Sequence, residues 1–205
     1  MQTEILHADS PNILERAVNL LKEDNLVAFP TDTVYGLGAM AFSARAIEKL
    51  YLAKGRETSK AIAVLVGDNE SLSLATTKMG VMAQRFAEHF WPGPLTLVVS
   101  RHPALPKNIS SYNTVGVRMP DHPLALALLN QTGPLAVTSA NMSGHSSSST
   151  AKEVLAQLAG RVSLILDGGC TPGGSPSTVV DCTGAEPVIL RQGPISLNQL
   201  LDALP

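Results

Sequence analysis

The sequence is short of several things, and each shortage excludes something. Aromatic residues make up 4% of the 205 positions, so the core has to be built from Val, Leu, Ile and Ala. There are only two cysteines, Cys170 and Cys182. That excludes a disulfide scaffold and a thiolate metal cage, and both are expected as reduced thiols. No basic excess is present: 15 Lys and Arg stand against 17 Asp and Glu, a net charge of −2. A surface that binds nucleic acid broadly is therefore excluded, and any anion site has to be a local cluster. No apolar run approaches 18 residues, the longest candidates such as AIAVLV (61–66) being strand-length. The opening MQTEILHADSPN lacks a basic stretch followed by an apolar one, so a signal peptide is not expected. A chain with no membrane segment and a cytoplasmic location follows as the expectation. The five histidines (7, 89, 102, 122, 145) are scattered without metal-ligand spacing, so no protein-held metal is expected.

What is present reads as an α/β domain. With 44% hydrophobic residues the chain buries a core without staples. Short apolar runs alternate with helical periodicities, a pattern that predicts strands covered by helices. Strands are expected at 26–29, 61–66, 95–99, 115–119, 135–138, 163–166, 178–181 and 188–190. Helices are expected after Ser10-Pro11, after Ser43, at 69–75, 79–90 and 123–130, and after the capping patterns Thr150/Glu153 and Ser196/Gln199. Residues 101–113 read as a loop. No repeat or linker divides the chain, so one domain over 1–205 is expected. A serine run (143–150) and a Gly/Pro-rich stretch (168–177) interrupt the rhythm, and composition alone makes both flexible surface loops.

Several segments carry polar groups at strand ends, where α/β proteins place ligands. FPTDTVYGLGA (29–39) follows a buried strand with two threonines and two glycines. It lacks the third glycine of a dinucleotide fingerprint, and a tight turn with local bonds explains it equally. Lys54-Gly55-Arg56 with Lys60 forms a basic cluster behind a helix: either a solvated helix end or a phosphate clamp. Thr138-Ser139-Ala140-Asn141 follows another apolar strand and is not a nucleophile elbow. Arg118 interrupts an apolar strand and Arg191 ends one. A charge so placed requires a partner or a ligand. His122, within PDHP, reads as a turn residue and not as a base.

Taken together, FPTDTVYGLGA, Lys54-Gly55-Arg56, WPGPLTLVV (91–99), VGVRMPDHPLA (115–125), PLAVTSANMSG (134–144), SPSTVVD (175–181) and ILRQG (189–193) resemble, in order and over nearly the whole chain, the YrdC-like threonylcarbamoyl-AMP synthases. The resemblance implies a twisted, largely mixed sheet around a cationic cavity. It also implies a nucleotidyltransferase that joins L-threonine, bicarbonate and ATP into threonylcarbamoyl-adenylate and pyrophosphate, with Mg²⁺ brought by the nucleotide. Transferase proteins then pass the threonylcarbamoyl group to adenosine 37 of tRNA. By resemblance, Lys54 and Arg56 are the catalytic charges. Lys54, Arg56, Lys60, Thr114, Ser139, Asn141, Ser147 and Arg191 fall at ATP positions, and Thr33, Arg118 and Ser177 at threonine positions. Glu57 stands where many relatives have proline, and Leu65 where some have a threonine-contacting histidine. The serine run replaces a P-S-P-T-like stretch. A chain ending at Pro205 is expected to be the short, single-domain form. Two other readings stay open: a module that holds tRNA or double-stranded RNA without chemistry, and a paralogue acting on another carbamoyl or adenylate substrate.

Overall fold

A computed structural model describes residues 2–204. In chain order the elements are β1 (Glu4–His7), α1 (Ile13–Lys22), β2 (Val27–Phe29), β3 (Gly36–Met40), α2 (Ala44–Lys54), β4 (Ala63–Leu65), α3 (Asn69–Ala75), β5 (Thr76–Lys78), α4 (Val81–Phe90), β6 (Leu95–Arg101), β7 (Thr114–Arg118), α5 (Pro123–Thr132), β8 (Leu135–Ser139), α6 (Ala151–Leu158), β9 (Leu164–Asp167), β10 (Thr178–Asp181), β11 (Val188–Arg191) and α7 (Leu197–Asp202). The strands join one mixed sheet in the order β1-β9-β2-β3-β8-β4-β7-β6-β10-β11, with β5 added beside β6. Pairs β1–β9, β2–β9, β4–β7 and β6–β10 are parallel, the rest antiparallel. The expected α/β class with a mixed sheet is what forms.

Period-two alternation splits the buried residues into two layers. Ala28, Leu37, Ala136, Ile165, Val64, Val117 and Leu97 point to one face and pack with α2 and α6. Val27, Phe29, Leu135, Val137, Leu164 and Leu166 point to the other and pack with α1 and α5. This second layer reaches across β9, β2, β3 and β8 and ends at Leu65 of β4. From β4 to β11 the same face carries Ala63, Gly116, Val98 and Val179, which remain partly open to solvent. The functional cavity forms over that uncovered half.

Three strands lie outside the sequence expectation. β1 and β5 are short, β1 at the edge of the sheet beside β9 and β5 beside the longer β6. β3 has the sequence GLGAM, which by composition reads as a turn. Its glycines are there for space: a Cβ on Gly36 would stand 2.9 Å from Val137 Cγ1, and one on Gly38 2.8 Å from Phe29 Cε1. Both glycines let a strand pass beneath a large neighbour. The 101–113 loop contains a single 3₁₀ turn, Lys107–Ile109.

The helix starts are mostly as expected. Ser43 accepts from Ala46 N, and Ser196 and Gln199 form a complete capping box. α1 differs: its N-cap is Asn12 at φ 60°, with no side-chain bond, because Ser10–Asn12 is used in a turn that ends on Ser10 O. At α6, Thr150 accepts from Glu153 N, while the Glu153 carboxylate accepts from Ser149 N instead of Thr150 N.

Candidate functional site

A cavity of about 290 Å³ opens over the uncovered half of the sheet. Its floor is Ala63, Gly116 and Val98, small or flat side chains in adjacent strands. Of the residues singled out in the sequence, it brings together Thr33, Arg56, Arg118, Ser139, Ser177 and Arg191. Leu65 also lines it. Lys54, Lys60, Thr114, Asn141 and Ser147 do not form its wall.

Arg118 ends β7 at 5% exposure. Its Nε donates to Gly93 O (2.9 Å), Nη1 to Thr33 Oγ1 (3.0 Å) and Nη2 to Asp32 Oδ1 (2.5 Å). Thr33 is fixed in turn. Thr31 Oγ1 donates to Val34 O at 2.7 Å, which uses its one proton, so Thr33 must donate to Thr31 (2.9 Å). The chain of donors therefore runs from Arg118 through Thr33 and Thr31 to the backbone. Burial lowers the Arg118 pKa, and Asp32 acts in the opposite direction.

Arg191, at the end of β11, donates from Nε and Nη2 to Ser177 O (3.1 and 2.8 Å) and from Nη2 to Ser177 Oγ (3.0 Å). Ser177 Oγ meets Thr96 Oγ1 at 2.8 Å. Arg56 donates to Lys60 O (3.2 Å) and Ala61 O (3.0 Å). Among the described residues neither Arg56 nor Arg191 has a carboxylate within ion-pair distance. Burial, then the charge of Arg56, pulls Arg191 below the usual guanidinium range. The cavity thus holds two unneutralised cations and one neutralised pair inside an acidic protein.

Lys54 behaves differently from the solvated helix end that its position suggests. It is the last residue of α2, followed by Gly55 at φ 58°, a left-handed conformation that glycine tolerates. Its side chain is 1% exposed, and Nζ donates to the carbonyls of Ser139 and Asn141. Burial first, and Arg56 second, push it down to about 7. Lys54 therefore ties the end of α2 to the end of β8. Asn141 donates to Met142 O and His145 O (2.7 and 2.9 Å). Lys60 is an exposed partner of Glu57 at 3.7 Å. Thr114 opens β7 opposite Ser100.

The two loops are bonded structures, contrary to what their composition suggests. Ser148 is fully buried, its Oγ donating to Ala140 O (2.9 Å) and its carbonyl accepting from Tyr35 N (2.9 Å). Ser147, beside it, is half-buried. Tyr35 OH donates to Gly169 O (2.8 Å) and accepts from Gly168 N (3.2 Å), and Thr171 N donates to Ser149 O (2.9 Å). The two loops are thus joined to each other and to the strand-end segment around Tyr35. Sequence reasoning missed Tyr35 and Asp32 as site builders. A tyrosine and an acid within a Thr-rich strand end were the available signals.

Among the described residues no group of three or more His, Cys, Asp or Glu converges as a metal site, and no helix is long and apolar enough to cross a membrane. Cys170 is an exposed thiol and Cys182 a buried one.

The Sua5, YciO and YrdC family model, described as telomere recombination, matches residues 19–193. A threonylcarbamoyl-AMP synthase from Bacillus subtilis is 44% identical over 201 residues, which cover 97% of this chain and 58% of that protein. A putative threonylcarbamoyl-AMP synthase from Mycobacterium tuberculosis is 42% identical over 189 residues, covering 92% of this chain and 87% of the relative. The crystal structure of P. abyssi Sua5 complexed with L-threonine superposes with a TM-score of 0.94 at 36% identity, covering 100% of this chain and 61% of that one. The chain therefore spans about three fifths of two of these three relatives.

Proposed function

The chain belongs to the Sua5/YciO/YrdC family, and on that premise we propose that it is a threonylcarbamoyl-AMP synthase acting in tRNA modification. The observation that carries the reading is the charge of the cavity: Arg56 and Arg191 face it without acidic partners among the described residues, in a protein of net charge −2. Such an arrangement is held at the expense of mutual repulsion, and a polyanion relieves it.

The proposed reaction brings several anions together. The threonine amine attacks bicarbonate, forming a C–N bond and releasing water, to give a carbamate. A carbamate oxygen then attacks the α-phosphorus of ATP, the bond to the β-phosphate breaks, and pyrophosphate leaves. Carbamate, triphosphate and leaving group are all negative, so fixed cations that position and neutralise them are the suitable catalyst. Arg56 and Arg191 take the phosphate and carbamate charge. Arg118, oriented by Thr33 with Ser177 nearby, takes the threonine carboxylate as a fork. Ser139, Asn141, Ser147, Lys60 and Thr114 belong to the nucleotide side. Lys54, with its donors on two carbonyls, serves that side by fixing the loop that carries Ser139 and Asn141. Mg²⁺ is expected to enter as the companion of the triphosphate. The product is expected to pass to a cytoplasmic tRNA threonylcarbamoyl transferase.

The deciding experiment is pyrophosphate release from ATP and bicarbonate with and without L-threonine. Release that requires both threonine and bicarbonate is expected. A folded protein that releases none with any amino acid, yet binds RNA with steep salt dependence, would instead be an RNA-binding module.

A further inference from the structure

Behind the cavity wall, two buried polar atoms on separate segments have no hydrogen-bond partner among the described residues: Asp32 Oδ2 and His122 Nδ1. Buried polar atoms are nearly always satisfied, so two orphans on neighbouring side chains call for a shared explanation. The backbone brings them together. Asp121 N donates to Asp32 Oδ1 at 3.1 Å, and the ring of His122, the next residue, feels the charge of the same carboxylate beyond direct ion-pair distance. His122 is the N-cap of α5 but makes no side-chain cap bond, so its ring is not used by the helix.

The form of the Asp32–Arg118 pair is the second observation. A carboxylate beside a guanidinium ordinarily pairs through both oxygens. Here only Oδ1 is used, while Arg118 Nη1 goes to Thr33. Arg118 has five N–H donors, and the three bonds to Gly93, Thr33 and Asp32 leave two for a ligand. If Asp32 swung to a two-oxygen pairing, it would take one of those two. Something has to hold Oδ2 away.

We propose that His122 is a positioning residue: its Nδ1–H holds Asp32 Oδ2 through one bridging water, and so keeps an edge of Arg118 open for the carboxylate of the amino-acid substrate. The inference rests on the reading of Arg118 given above. Burial keeps the ring neutral by lowering its pKa, with Asp32 and then Asp121 acting in the opposite direction. One nitrogen alone then carries the proton, and the proposal assigns it to Nδ1. The charged groups that face the ring are those two carboxylates, with Arg118 beyond Asp32.

The test compares wild type, His122→Leu and His122→Asn by calorimetric L-threonine binding and by pyrophosphate release. In His122→Leu the Kd and KM for threonine should rise about tenfold, with kcat at saturating threonine and the KM for ATP within about twofold of wild type. His122→Asn, which keeps a donor near the Nδ1 position, should restore threonine affinity. A ¹⁵N–¹H spectrum of the wild-type ring should show Nδ1 protonated, and Asp32→Asn should change that signal. Unchanged threonine affinity in folded His122→Leu overturns the proposal. So does a parallel fall in kcat and both affinities with loss of Tm, the mark of a merely structural role. If His122→Leu does not fold, the ring spectrum and His122→Asn decide, and an unprotonated Nδ1 overturns it. Wild type that binds no threonine overturns the reading of Arg118, while the ring spectrum still reports whether His122 holds Asp32.

Discussion

Arg118 and Arg191 end two strands of one sheet and face one cavity, yet the fold treats them oppositely. Arg118 is buried, bonded on three nitrogens and neutralised by Asp32. Arg191 is more exposed, bonded among the described residues only to Ser177, and feels the like charge of Arg56. A paired, buried arginine is a fixture, whose removal strands its acid in a dry place. An unpaired one is a demand for a ligand. The contrast separates a cation that holds the wall and has only its spare donors for a ligand from cations whose whole charge waits for an anion.

The largest effect that would test this contrast is on Arg118. Arg118→Leu should lower unfolding free energy by about 3–5 kcal/mol in denaturant titrations, because Asp32 is left without its partner, and should abolish threonine-dependent pyrophosphate release. A stable, active variant would erase the distinction. Next, Arg56→Ala or Arg191→Ala should reduce kcat/KM about a hundredfold, corresponding to roughly 2–4 kcal/mol of lost transition-state stabilisation. Melting should show Tm unchanged or raised, since one half of a repulsive pair is gone. A Tm loss as large as that of Arg118→Leu would mean these arginines are structural too.

Lys54 gives a third test, through pH. Its pKa is pushed down to about 7 in the folded protein, against about 10.4 in an unfolded chain. Between those values the unfolded state binds the extra proton, so stability should rise with pH, and the penalty should be fully present below pH 7. Relative to Lys54→Met, wild type should gain roughly 2 kcal/mol between pH 7 and 9. A flat difference would show that the two carbonyls hold the ammonium at its ordinary pKa. The smallest effect belongs to Lys60→Ala. It removes one exposed pair with Glu57, worth at most about 1 kcal/mol, and a KM for ATP raised severalfold would nonetheless bring Lys60 into the nucleotide site.

The sequence made the sheet legible wherever a strand was apolar and ended on a breaker. It hid β3, because GLGAM announces flexibility, whereas the glycines answer to Phe29 and Val137, residues that are neighbours only once the sheet exists. The need of Arg118 for a partner or ligand was readable, since a lone charge in an apolar strand cannot stand alone. The partner's identity was not, because Asp32 lies 86 positions away. Lys54 illustrates the same limit. A lysine at a helix end looks solvated until the 139–141 segment arrives on top of it. His122 looked like a turn residue, and the orphan atom that draws attention to it belongs to the packed molecule alone.

The placement of β11 has a consequence in time. The strand pairs with β10, which lies parallel to β6, a segment synthesised some eighty positions earlier. During translation the floor of the cavity can assemble while its last arginine is still inside the ribosome. Arg191 and its bonds to Ser177 arrive only after every other strand of the sheet has been made. A nascent polypeptide therefore carries a half-charged pocket until β11 has emerged, and pairings of such long sequence separation form slowly. Competence for the proposed chemistry should appear as one late event, well after most of the sheet has formed.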